Sequence, residues 1–318
     1  MFGGFPGGAP VAKRRGRALD RVPSARPKGE QPKYPNVPIS QCPNIAKYHF
    51  LLLPLLQQSN ITILQQMMKT IAVLNHKGGV GKTTTSVNLA AGLASLGKRT
   101  LAIDLDGQAN LSYNLRCAQH PDTIYHALRG DIDHLPIVPV DESGLLYAVP
   151  SHLDLGAIEM EVVNEPGKEY FLRDLIDEVK GKFDYIIIDC PPALGFLAFN
   201  ALTAATDVLI PVEADGFAVK GTIKVRELIG KIQKRINPSL RVLGLLITKY
   251  DQRKNLNKEV ASALQRNECT RVIETTIRTN VSLSEASLKQ QTIFEYAPKS
   301  AGAEDYLALS QLIINDNE

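Results

Sequence analysis

Eight consecutive residues, Lys77-Gly78-Gly79-Val80-Gly81-Lys82-Thr83-Thr84, constrain the fold more than any other part of this 318-residue chain. They stand between a short apolar run at 70–75 (TIAVLN) and an amphipathic segment at about 83–96 that stops at Gly97. That pattern predicts a buried strand, a tight turn and a helix. Glycines let such a turn aim successive N–H groups inward as an anion nest, and the helix dipole adds positive potential at the same point. A strand, loop and helix of this kind make a phosphate-binding loop. In it Lys82 reaches the β- and γ-phosphates of a nucleotide, and the Thr83 hydroxyl coordinates Mg²⁺. A Gly-rich turn that merely joins strand to helix is the plainer reading; sequence, position and flanks together argue against it.

Short apolar runs then alternate with longer amphipathic ones. Strands are expected at 99–105, 145–149, 185–189, 208–212, 242–248 and 272–277, with helices notably at 168–180, 217–236, 256–266 and 303–314. Continuous apolar strands alternating with helices imply parallel pairing with both faces covered. The expected fold class is therefore α/β, a three-layer P-loop NTPase with a mostly parallel, doubly wound sheet. One domain, 69–318, accounts for these elements. The run at 185–189 (YIIID) places Asp189 at a strand's C-terminal edge, where a carboxylate can hold Mg²⁺ through water. Cys42, Cys117, Cys190 and Cys269 form no C-x-x-C pair and no cluster at metal-ligand spacing, which suits a reduced, cytosolic chain without a structural metal. The longest apolar run near the N-terminus, 50–56, is broken by Pro54 and is far short of the ~20 residues that cross a bilayer.

One detail departs from the usual phosphate-loop pattern. His76 stands where the first Gly is usual, and Lys77 follows it. This second lysine, with KGGVGKTTTSVNLAAGLASLGKRTLAIDLDGQAN, FDYIIIDCPPALG, SLSEAS and PKSAGAEDYLAL in order, resembles the ParA/Soj-type partition ATPases, whose phosphate loop is the deviant Walker A form. The resemblance covers about residues 69–314. It implies ATP and Mg²⁺ as ligands, an ATP-dependent homodimer, nonspecific double-stranded DNA as a partner and a ParB-like protein as stimulator. It further implies that nucleotide is held by Lys77, Gly78, Gly79, Val80, Gly81, Lys82, Thr83 and Thr84, and that Lys77 reaches across the dimer to the partner's phosphates. By similarity Asp106 positions the attacking water or assists its deprotonation, while Asp104 supports the Mg²⁺ shell with Thr83 and Asp189. Strand alternation would point Asp104 and Asp106 to the same side. The family text DLDPQGN reads here with Gly107 and Ala109 in place of Pro and Gly, which changes the stiffness of the loop. Near the C-terminus, residues 277–286 resemble the family segment IPRNVRLSEA. Asn280 matches a residue that borders adenine, although a turn-forming Asn reads equally, and Arg278 replaces the family Pro.

Charge distribution adds an independent signal. The whole chain carries 36 basic and 33 acidic residues, a formal +3. Residues 1–68 hold nine basic and two acidic ones, so the remaining 250 residues carry −4. Between residues 220 and 258 there are eleven basic and two acidic residues, or +9, on a remainder of −13. Lys220, Lys224, Lys231, Lys234 and Arg235 fall within a ~100° sector of one helix, beside an apolar stripe of Leu228, Ile229, Ile232 and Ile236. A solvated charged face is the bland reading. A salt-sensitive surface for the DNA backbone, with Arg253 and Lys254 added, is the functional one.

Residues 1–68 mix Gly, Pro and Arg and read as a disordered basic extension. A start codon set too early, before Met67 and Met68, is the favoured reading of residues 1–66; a flexible tail is next preferred over a nucleic-acid-binding arm, and an Arg-rich, acid-poor transit peptide comes last. Three rivals share the superfamily resemblance. A membrane-cycling positioner like MinD needs a cationic C-terminal amphipathic helix, and this chain ends in the acidic 315–318. An iron–sulfur carrier needs paired interface cysteines. A pure DNA-binding regulator would use ATP only as a switch. The favoured reading is a cytoplasmic, nucleoid-associated partitioning ATPase without membrane contact.

Overall fold

Apolar runs covered on both faces become the strands of one sheet. They are β1 (Lys69–Val73), β2 (Thr100–Asp104), β3 (Val138–Pro139), β4 (Leu146–Val149), β5 (Tyr185–Asp189), β6 (Asp207–Glu213) and β7 (Arg241–Thr248). The computed structural model describes residues 68–216, 218–266 and 271–316, without the side chains of Val219 and Lys220. Everything expected of residues 1–67 lies outside the described residues. The strand order is β3-β4-β2-β5-β1-β6-β7, and every pairing is parallel except the short β3–β4 edge.

Alternation along each strand splits the core in two. Ile71, Val73, Ile187 and Leu209 face one side. Ala72, Ile186, Ile188, Val208 and Ile210 face the other. The helices are α1 (Lys82–Ser95), α2 (Asn110–Asn114), α3 (Ile124–Arg129), α4 (Ile158–Glu161), α5 (Phe171–Asp177), α6 (Phe196–Ala204), α7 (Ala218–Arg235), α8 (Asn255–Arg266), α9 (Val281–Leu288), α10 (Ile293–Tyr296) and α11 (Ala301–Asn315). Leu89 and Leu93 of α1 and Tyr306 and Leu309 of α11 cover the first face. Ala198 of α6, Val225 and Ile232 of α7 and Val260 of α8 cover the second. This is the expected three-layer, doubly wound α/β fold.

After β1 the chain crosses past β5 to β2, whereas β6 and β7 extend the sheet the other way. The carboxyl end of β1 is therefore a topological switch point, the place where open α/β sheets bind ligands. The phosphate-loop sequence begins there.

Two expectations need correction. Residues 272–277 form no strand, only isolated bridges, Leu245↔Val272 and Tyr250↔Arg278. Ile273 N–H donates to Leu245 O at 2.9 Å and Ile277 N–H to Ile247 O at 2.8 Å. Four residues thus pass alongside two of β7, and a segment that bulges so far cannot keep a ladder. The helix expected at 168–180 opens as a 3₁₀ turn at Lys168–Tyr170 and closes at Asp177.

Candidate functional site

The loop after β1 is built from its own backbone. Asn75 Nδ2 donates to Pro211 O at 2.7 Å, and its Oδ1 accepts from Lys77 N at 3.1 Å, which fastens the loop's start to β6. Gly81 caps α1 with φ 87°, a left-handed conformation that costs a residue with Cβ about 1 kcal/mol or more. Thr248 Oγ1 donates to Val80 O at 2.8 Å and holds the loop's far side to β7. Around Gly78 and Gly79 no atom lies within 4 Å of where a Cβ would stand, so the nest opens onto free space.

Lys82 lies almost buried under this loop, and its Nζ meets Lys77 O at 3.3 Å. Burial lowers its pKa, opposed by the nearby Asp189 carboxylate. A cation buried with one distant carbonyl is built for an anion that the nest can hold. Lys77, by contrast, sits at the rim, its ammonium paired with Asp215 and lying 3.8 Å from Glu213. The Asp215 hydrogen bond raises the Lys77 pKa, so it is a full cation.

Beneath the loop two carboxylates are adjacent, because β2 and β5 pair Asp104 with Asp189. Both are fully buried. Asp104 Oδ2 accepts from Ser112 N at 2.8 Å and Ser112 Oγ at 2.7 Å, while its Oδ1 accepts from Asp106 N at 3.1 Å. Asp189 Oδ1 accepts from Ser86 Oγ at 2.9 Å, and the nearby Thr83 hydroxyl, like Ser86, favours the charged form of this carboxylate. Asp189 Oδ2 is buried without a hydrogen-bond partner. Desolvation and the Asp104 charge both push the Asp189 carboxyl well above the usual carboxylate range. An orphaned carboxylate oxygen beside a hydroxyl and an anion nest fits a divalent cation shared with phosphate oxygens.

β2 ends at Asp104, so alternation does not carry on to Asp106. Asp106 is half-buried in the following loop and accepts from Gln108 N at 3.0 Å. Ala109 is left-handed at φ 52°, a conformation suited to the family's Gly. The left-handed cost of about 1–2 kcal/mol exceeds the ~0.5–1 kcal/mol of unfolded-chain entropy that glycine adds. Ala109→Gly is therefore expected to raise the thermal midpoint by at most about 3 °C, read by calorimetry. A Cβ at Gly107 would come within 3.3 Å of Gly156 N and 3.4 Å of Leu153 O, so this loop rests closely on the 152–156 backbone.

Beside the loop opens a cavity of about 480 Å³ lined by Gly81, Thr84, Thr248, Asn280, Leu283 and Tyr306 among others. Asn280 faces it and also caps α9, its Oδ1 accepting from Ser282 N at 2.8 Å. The structure brings the phosphate loop, Asp104, Asp106 and Asp189 to one end of the sheet, with Asn280 next to it. Sequence reasoning missed Asp215, whose partner Lys77 is remote in the chain, and Ser112, eight residues after Asp104 and outside any local pattern.

A family profile described as an AAA domain matches residues 68–242. A chromosome partitioning protein ParA of Myxococcus xanthus is 40% identical over 245 residues, 76% of this chain and 87% of that protein. The sporulation initiation inhibitor protein Soj of Bacillus subtilis is 40% identical over 247 residues, 77% of this chain and 98% of Soj. This chain belongs to the ParA/Soj family of partitioning ATPases. Among solved structures it resembles cobyrinic acid a,c-diamide synthase from Mycobacterium smegmatis with bound ADP and magnesium, with a TM-score of 0.68 at 32% identity over 78% of this chain and 94% of that one.

The basic helix is α7. Lys224, Lys231, Lys234 and Arg235 are exposed on it, whereas Leu228, Ile229 and Ile232 are buried and Ile236, just past its end, is half-buried. The Lys220 side chain lies outside the described residues. Lys254 is exposed, while Arg253 forms a fork with Asp251, Nε to Oδ1 and Nη2 to Oδ2 both at 3.0 Å. That local pair neutralises Arg253 and holds the Asp251 carboxyl down at about 2. Among the described residues no helix is long and apolar enough to cross a membrane.

Proposed function

We propose that this protein is a DNA-partitioning ATPase that dimerises on ATP, binds DNA without sequence preference and hydrolyses ATP slowly until a ParB-like partner stimulates it. The observation that carries this reading is the anion nest with buried Lys82 beneath it, the orphaned Asp189 oxygen beside it and the rim cation Lys77 outside it. ATP fits with its phosphates in the nest and its base in the 480 Å³ cavity by Asn280. Thr83 and Asp189 would hold Mg²⁺, Asp189 through water, and Asp104 would support them from behind through its negative charge. The cation, when bound, offsets phosphate charge and fixes the phosphoryl group in place.

Within one protomer, Lys82 neutralises the phosphates and Gly78 through Thr84 orient them. Asp106 accepts a proton from the attacking water or aligns it. Lys77 serves the second protomer's nucleotide, stabilising charge on the transferred group as an arginine finger does elsewhere. Since Lys77 is held by Asp215 and Glu213 of its own chain, turnover in a lone protomer lacks this cation. Hydrolysis thereby depends on association, and a partner that favours the assembled geometry accelerates it. Sedimentation with and without ATP, and turnover with DNA and a ParB-type protein, test this. A monomer under all nucleotide conditions would overturn it.

Exposed Lys224, Lys231, Lys234 and Arg235 supply a backbone-contact surface, and two copies in a dimer multiply their affinity. Lys231→Glu with Lys234→Glu is expected to weaken DNA binding at least about tenfold and to reduce the salt slope by about 2 units for each copy on the DNA, about 4 for the dimer, for sequences of any composition. Filter binding across a salt series reads both.

A further inference from the structure

The cavity beside the phosphate loop has two walls from distant parts of the chain. One is the loop and the start of α1, through Gly81 and Thr84. The other is the irregular segment 277–280 with α9. The second wall belongs to no ladder: Ile277 N donates to Ile247 O at 2.8 Å, Tyr250 N to Ile277 O and Thr279 N to Tyr250 O, both at 3.0 Å, and the ties of Arg278 run to α11.

Those ties converge on one side chain. Arg278 Nε donates to Asp305 Oδ1 at 2.9 Å and Oδ2 at 3.0 Å, and Arg278 Nη2 to Glu304 Oε2 at 2.9 Å and Ala301 O at 3.2 Å. The Arg278 backbone N–H donates to Asp305 Oδ2 at 2.8 Å. Asp305 is only 8% exposed, so little water reaches the carboxylate and Arg278 is its main partner. Next to it on α11, Tyr306 Oη lies 3.2 Å from Thr85 Oγ1 of α1. Further along, a Cβ at Gly92 of α1 would lie 3.3 Å from Ser310 Cβ, so α1 and α11 are pressed together. Helix α11 thus joins the two walls, with Asp305 gripping one and Tyr306 touching the other.

We propose that Arg278 is a positioning residue for the nucleotide: its clamp on Asp305 sets the distance between the 277–280 wall and the phosphate loop. The inference rests on the reading of this cavity as the nucleobase site. Proline, found here in the similar family segment, restrains the chain by fixing φ and has no N–H to give. In this chain the N–H is used, by Asp305, so the restraint comes from a side-chain fork and its buried carboxylate partner. Charge-assisted, two-pronged bonds hold geometry as well as energy, which suits a wall whose own backbone is irregular.

Binding of a fluorescent ATP analogue, turnover and melting are measured for four variants. Arg278→Ala is expected to raise Kd and KM about tenfold while kcat at saturating ATP stays within about twofold. Arg278→Ala with Asp305→Ala removes the stranded carboxylate, so it recovers the melting temperature but not the affinity. Arg278→Pro with Asp305→Ala rebuilds the family's restraint and recovers both. Ser287→Trp fills the cavity and abolishes binding. Wild-type affinity in Arg278→Ala, with Ser287→Trp still unable to bind, overturns the clamp alone. Wild-type affinity in Ser287→Trp overturns the cavity reading beneath it. Affinity that returns with the melting temperature in Arg278→Ala/Asp305→Ala reduces Arg278 to a stability residue and also overturns the proposal.

Discussion

Lys77→Ala is expected to lower partner-stimulated ATP hydrolysis by on the order of a thousandfold while ATP binding stays within about threefold. The two lysines of the loop differ in place, and place decides their roles. Lys82 is 7% exposed and aimed under the nest, so its loss removes the charge that holds the phosphates in the same chain. The Lys77 side chain is 36% exposed at the rim, where its partners are Asp215 and Glu213. Exchanging those carboxylates for a second protomer's phosphates costs little, because both ends of the exchange are charge-assisted bonds near solvent. A rim cation contributes to binding weakly and to a transition state strongly, and that difference appears as a kcat effect with little change in Kd. Single-turnover rates with the ParB-type partner, beside direct nucleotide titration, check it. Unchanged turnover would remove the cross-dimer role of Lys77.

Asp189→Asn is expected to have opposite effects on stability and activity. In the unfolded chain this carboxyl ionises near pH 4. In the fold, burial and the neighbouring Asp104 charge raise it to about 8. A raised carboxyl binds its proton more tightly folded than unfolded, so its contribution to stability is fully present below about pH 4 and is lost as pH rises through the folded value. The metal-free wild type therefore loses stability as pH rises from about 4 into the neutral range, Asp104 contributing in the same direction. Asparagine is neutral throughout and keeps the Ser86 contact. The variant should melt higher than wild type at pH 8.5, with the gap closing toward pH 5. Magnesium and ATP should stabilise the wild type by drawing the proton from Asp189, and should stabilise the variant less, since it keeps the nest and Lys82 but loses that carboxylate. Magnesium-dependent turnover should fall on the order of a hundredfold. A variant that melts below wild type at high pH would contradict the buried-charge argument.

Much of the site was legible because it is contiguous. A nest is a run of local backbone conformations, so Gly79 and Gly81 carry it in the letters themselves. Asp189 was legible because it ends an apolar run, and a strand end beside a phosphate loop has one outcome. The stripe on α7 followed from helical periodicity alone. Asp104 was less so. Its position was anticipated, but its bonds to Ser112 depend on α2 folding back beneath the strand end, and no local pattern encodes that.

By itself the sequence determined the α/β class, the phosphate loop, the carboxylate ending β5 and the basic face of α7, because each depends on spacing within a few residues. Only the tertiary structure decided that Lys77 pairs with Asp215, that Arg278 grips Asp305, and that residues 272–277 bulge away from β7 as bridges without forming a strand. Those contacts join residues far apart in the chain, and they are set by sheet order, register and helix packing. Periodicity along the chain describes how a segment curls; it does not say which distant side chain will stand opposite when the layers close.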